Sequence, residues 1–236
     1  MHPDPARVLH EDAAGLPLGR AVGYVLRVPS NIVLVVASAL GYYFFTGLRT
    51  FAVSFVHGHF RLGQAEASSL IILLGAGALV GVLVGGRVGD RLLRRGRPNG
   101  RVITAITAYF AAAALLVPGV LTTALAVALP LYTVAAGCLG AANPPLDAAR
   151  LDIMPAGLWG RAEAVRTVLR SGADAGAPLL FGFTADRLAG GGPAGLEYTF
   201  LLMLAPMVLG GIVGTRALRT YPRDVATAAA SDAGAR

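Results

Sequence analysis

Residues 68–86 run for nineteen positions without one charged side chain. As a helix rising 1.5 Å per residue, that stretch is about 28 Å long, close to the roughly 30 Å hydrocarbon core of a bilayer. A helix on the surface of a soluble protein keeps one polar face, and this stretch has none. Five further stretches read as membrane spans, at 31–56, 102–117, 121–142, 164–184 and 196–215. The span at 102–117 is the shortest, and "VPGVL" reads as a tight turn joining it to the next. The span at 164–184 is the least apolar and falls below a strict hydropathy cut-off. It rests on "AGAPLLFGFTA" following an arginine-rich first half. Composition agrees: 55% of the 236 residues are hydrophobic, only 14% are charged, and mean hydropathy is +0.64. Soluble domains carry about 25% charged residues. The expected fold class is an all-α membrane protein with six transmembrane helices.

Charge sets the expected orientation. The net charge is +7, and every one of the twenty basic residues is arginine. They gather at the ends of apolar runs, in the pattern of membrane orientation rather than of a nucleic-acid-binding face. Arg87, Arg91, Arg94, Arg95, Arg97 and Arg101 crowd the second connection. Others lie in the leader (residues 1–29), the fourth connection and the tail (219–236), whereas the three opposite connections carry only Arg61 and Arg187. The positive-inside rule then places both termini in the cytoplasm, with the plasma membrane as the expected location. The leader lacks the apolar core of a signal peptide, with a short amphipathic piece at 22–28, and the tail reads as solvated and disordered. Cys138, alone in the chain, can form no internal disulfide.

Inside the arginine cluster, "GGRVGDRLLRRGRP" orders Gly86, Asp90, Arg91, Arg94 and Arg95 in a particular way. This spacing resembles the loop motif between the second and third helices of a six-helix half in the major facilitator superfamily. Leu93 stands where that pattern has glycine. The leader is similar to the linker before the family's seventh helix, and "NPPLDAARLDIMP" to the passage between its tenth and eleventh. The resemblance covers about residues 20–220 and points to the C-terminal half. It implies an inverted three-plus-three repeat, alternating-access transport of a small solute, proton-coupled efflux at family level, and no cofactor. It also implies that Asp90 and Arg91 lock the cytoplasmic side against the other half. A second six-helix half, or a second copy of the chain, is then the expected partner besides lipid and solute, and nucleic acid is not. An internal echo adds to this: "GRVGDRL" at 86–92 recurs as "GFTADRL" at 182–188, matching at four positions.

Several residues are candidates for function. Gly77, Gly81 and Gly85 fall at i, i+4, i+8 and form one glycine face for close helix packing. Asp174 lies about ten residues into the fifth span, where an ionisable group requires a partner or a task. Arg166, Arg170 and Asp174 share a helical face, with Glu163 one turn before. Asp174 is read either as the pair of Arg170 or as a proton or cation site, and Pro178 interrupts the same helix. Arg49 either snorkels to the interface or holds an anionic group. Tyr42 and Tyr43 read as packing or cavity lining. His57 and His59 supply two metal ligands without a third, so no metal site is expected. "LDAARLD" places Asp147, Arg150 and Asp152 in one salt-bridged turn. No G-x-S-x-G, H-E-x-x-H, Walker loop or cysteine pair supports an enzyme. A scaffold or a transporter fragment is the alternative to a half-transporter.

Overall fold

The computed structural model describes residues 18–188 and 190–234. Among them the α-helices are α1 (Leu18–Val25), α2 (Pro29–Phe60), α3 (Gln64–Arg94), α4 (Gly100–Leu121), α5 (Leu125–Asp152), α6 (Trp159–Phe183) and α7 (Gly192–Gly234). A 3-10 turn (Ala156–Leu158) leads into α6 and a π-helical turn (Thr184–Leu188) follows it. Helices α2, α3, α4, α5 and α7 are long and apolar enough to cross a membrane. Helix α6 has the length too, but Arg161, Glu163, Arg166, Arg170 and Asp174 lower its hydropathy. Six long helices therefore build the bundle, and α1 is a short amphipathic helix ahead of them. Residues 1–17 of the leader lie outside the described residues.

Local chemistry sets the helix ends. Pro29 opens α2 at a position whose N–H has no helical acceptor. Helix α2 stops at Arg61, which takes a left-handed φ of 54°. Glu66 reaches back to the Gly63 N–H at 2.9 Å and so caps α3. Gly96, at φ 76°, turns the chain out of α3. Its N–H bonds the Leu93 carbonyl at 2.9 Å, and the Arg97 N–H bonds that of Leu92 at 3.1 Å. Leu93 thus stays helical, and the residue free to adopt positive φ comes three positions later.

Three expectations need correction. "VPGVL" is not the turn: α4 continues through Pro118 to Leu121, and the break falls at 122–124. Pro118 forfeits its own N–H bond, but its carbonyl still accepts the Thr122 N–H at 3.1 Å, so the helix runs on past it. The stretch after 142 is not a loop either, since α5 carries Pro144 and Pro145 within it and reaches Asp152. Nor is the tail disordered as far as Gly234. Helix α7 has 43 residues, about 64 Å, twice the thickness of a hydrocarbon core. Its last part is alanine-rich, which favours helix, and it is held by the bundle. Tyr221 and Ala228 are buried. Asp224 Oδ2 accepts the Ser30 N–H at 3.1 Å, and the Ser30 and Thr220 hydroxyls meet at 2.6 Å. A carboxylate from the C-terminal helix therefore caps the start of α2.

Helix contacts repeat under one exchange. Helix α2 packs on α6 and α7, α5 packs on α3 and α4, and α4 packs on α7. Swapping α2 with α5, α3 with α6 and α4 with α7 maps these contacts onto one another, as an inverted repeat requires. The two copies of the sequence echo then close the exchange partners α3 and α6. The core at α2, α6 and α7 is aromatic: Phe181 and Phe200 lie 5.6 Å apart edge-on, and Phe55 meets Phe200 at 4.9 Å. Glycines on α2 leave room for such rings to seat against its backbone. A side chain at Gly41 would run into Tyr109, and one at Gly47 into Phe181.

Candidate functional site

Along the contact between α2 and α6 an apolar bundle turns polar. Tyr42 and Thr46 stand one turn apart on α2, and Arg170 and Asp174 stand one turn apart on α6. The two rows meet as rungs. The Thr46 hydroxyl donates to Asp174 Oδ1 at 2.9 Å, and Arg170 Nε lies 3.5 Å from Asp174 Oδ2. The Arg170 guanidinium carbon sits 3.3 Å from the centre of the Tyr42 ring, a cation–π contact. All four residues are half-buried. Asp174 thus has both a cationic partner and a hydroxyl donor, and about a third of its side chain stays exposed, 32%.

One turn further, the same face of α6 enters a charged lattice with the end of α5. Arg150, 1% exposed, lies 3.3 Å from Asp147 and 3.4 Å from Glu163. Arg166 bonds Asp147 at 3.1 Å and also pairs with Glu163.

Asp147, Arg150 and Asp152 do not form one turn. Residues 147 and 150 share a face, but residue 152 points the other way and joins a second cluster. There Arg101 donates to Asp90 Oδ1 at 2.9 Å and to the Asp152 carboxylate, which also accepts the Tyr221 hydroxyl at 2.6 Å. This cluster ties α3, α4, α5 and α7 at one end of the bundle. Asp90 is thus engaged by Arg101, while Arg91, Arg94 and Arg95 are exposed and make no ion pair among the described residues. Gly86 lies beside Pro144, where a Cβ would come 3.8 Å from the proline ring. Sequence reasoning named Arg101 and Asp152 without joining them, and it missed Tyr221 and, on the α2 seam, Thr46. The only signal was a basic residue at the start of one span and acids at the end of another.

Gly77, Gly81 and Gly85 face α5. A Cβ on Gly77 would lie 2.8 Å from the Thr133 carbonyl oxygen, and Cβ atoms on Gly81 and Gly85 would overlap the carbonyls of Gly137 and Ala141. From the α5 side, Gly140 meets the Ala78 carbonyl in the same way. Arg49 is exposed on α2 at the rim of an apolar pocket. The His59 side chain is 6% exposed. Its Nδ1 lies 3.3 Å from Glu197 and its Nε2 lies 3.0 Å from the Thr122 carbonyl. No cluster of three metal-ligating side chains occurs among the described residues.

No family model matches the sequence, and no curated protein does. Solved structures do match. The chain is similar to a bacterial homologue of the human lysosomal transporter Spinster in its inward-facing, unoccupied form, with a TM-score of 0.73 and 19% identity. The match covers 94% of this chain and 53% of that one. The inward-facing, occupied form of such a homologue matches with a TM-score of 0.70 and 17% identity, over 85% of this chain and 51% of the other. The chain spans about half the length of these structures. At such identities the likeness speaks for fold. With its apolar helices and its exchange-symmetric contacts, this all-helical chain shares the fold of about half of a major-facilitator-type transporter structure.

Proposed function

We propose that this bundle is the C-terminal half of a secondary transporter that moves a small solute by alternating access. The observation that carries the reading is the polar seam of Tyr42, Thr46, Arg170 and Asp174. It runs into a bundle whose buried side chains are mostly apolar, and ionisable residues within a span mark substrate or ion pathways. In this reading Asp174 takes the coupling proton, Arg170 reports its charge state, and the Asp147–Glu163 lattice forms the cytoplasmic mouth.

A second six-helix half completes the cavity, whether it comes from the same polypeptide, another copy or a separate chain. Support comes from α3, of whose most apolar window only 11% is buried, so most of its surface is left to lipid or another bundle. Leu179 on its exchange partner α6 is likewise exposed. The end carrying Asp90 faces the cytoplasm together with both termini, in the plasma membrane. There the Asp90–Arg101–Asp152 cluster braces the loop, and Arg91, Arg94 and Arg95 remain free to meet the other half.

Asp174→Asn tests the coupling role in proteoliposomes. The variant keeps the Thr46 bond but cannot carry a proton. Gradient-driven accumulation should fall to background while solute exchange persists. Accumulation at the native rate would remove Asp174 from the mechanism. Flux that requires ATP hydrolysis and ignores ion gradients would remove the secondary-transport reading.

A further inference from the structure

Between α2, α3 and α5, with Leu116 of α4 at its base, lies a pocket of about 250 Å³. Its walls are Leu48, Ile71, Leu74 and other apolar side chains, and the one charged residue among them is Arg49. Tyr132 also lines it, but its hydroxyl is committed to the Gly119 carbonyl at 2.6 Å. Arg49 has no ion pair or hydrogen bond among the described residues. The pocket therefore offers one unused polar group, an unpaired guanidinium at the rim of an apolar chamber.

We propose that this pocket binds a compact organic monoanion, a carboxylate or sulfonate on an aromatic or short branched body. The guanidinium selects the charge, since its planar donors match a carboxylate bidentately, whereas a neutral or cationic ligand leaves it unsatisfied. The volume selects the body. An apolar cavity of about 150 Å³ holds benzene, so this one takes a fused bicycle or a branched chain of about ten carbons. A long acyl chain exceeds it. The inference names the solute class of the transport reading, and rests on that reading only for the step from binding to movement.

The test uses the full chain in lipid nanodiscs with 2-naphthoate, its neutral isostere 2-naphthamide, and oleate, read as saturable shifts in thermal midpoint. Naphthoate should bind about tenfold or more tightly than the amide. Arg49→Gln should erase that preference, and Arg49→Lys should keep part of it. Gly75→Leu fills the pocket from a position where a Cβ meets nothing within 4 Å, so it should weaken acid and amide alike. Equal binding of acid and amide would overturn the proposal, as would an Arg49→Gln variant that retains the preference. So would the absence of saturable binding, or oleate binding more tightly than naphthoate, which would assign the slot to bilayer acyl chains. Arg49-dependent binding without any flux, in proteoliposomes that also carry the second six-helix half, would keep the site and remove the transport reading. Gradient-driven flux that naphthoate neither joins nor inhibits would do the reverse.

Discussion

Gly81→Leu should push α3 and α5 apart and leave the bundle unable to hold its native packing. The Cβ alone would overlap the Gly137 carbonyl, a backbone atom with no rotamer into which to retreat. Gly77, Gly85 and Gly140 lie along the same seam, so a local shift would open several contacts together. Overpacking costs about 1–3 kcal/mol even where side chains can move, and here the obstacle is backbone. In lipid, where packing rather than hydrophobicity drives helix association, little else compensates. The expected result is a large drop in thermal midpoint and a bundle open to protease. Gly75→Ala is the control, six residues earlier on α3 where a Cβ meets nothing within 4 Å, and should change stability by less than about 1 kcal/mol. A Gly81→Leu protein as stable as the native chain would contradict the close packing.

Arg101→Leu should loosen one end of the bundle. Arg101, 18% exposed, is the cation that Asp90 and Asp152 share, and Asp152 also holds Tyr221. Its removal leaves two carboxylates facing each other without a counter-charge. Breaking a fully buried pair costs about 3–5 kcal/mol. Asp90 is half-exposed, so solvent moderates the loss to about 1–3 kcal/mol. Arg91→Gln should alter the bundle's own stability by less than about 0.5 kcal/mol, because Arg91 is exposed and has no ion-pair partner among the described residues. Chemical denaturation of the two variants decides the point. Equal costs would mean that Arg101 secures this end of the bundle no more than Arg91 does.

The apolar runs were legible because lipid imposes a length and a hydropathy that few soluble segments share. Glycine spacing on α3 was legible for a similar reason, since a stripe at i, i+4, i+8 has meaning only as a helix face. The charge on α6 was readable residue by residue, down to the Arg170–Asp174 spacing, but its partners on α2 were not. Thr46 and Tyr42 look like ordinary span residues until the two helices cross. Arg101 was hidden more deeply. It read as one more arginine in an orienting cluster, and only the tertiary fold brings Asp90, Asp152 and Tyr221 around it. The helical tail was misread because its composition is that of a solvated segment, and the contacts holding it come from Ser30, almost two hundred positions earlier. The pocket beside Arg49 has walls from four helices, and no local pattern in the sequence marks such a convergence.

Thr46→Cys, with Cys138→Ser to remove the native thiol, tests the central claim most directly. Thr46 sits in the polar seam beside Asp174, and alternating access requires that seam to meet water on each side of the membrane in turn. Labelling with a membrane-impermeant maleimide in right-side-out and inside-out vesicles of the full protein reads this without knowledge of the solute. The account predicts labelling from both sides, and loss of labelling from the cytoplasmic side alone when cross-links hold the Asp90 end shut. A cysteine reached from one side only, or from neither, would contradict it.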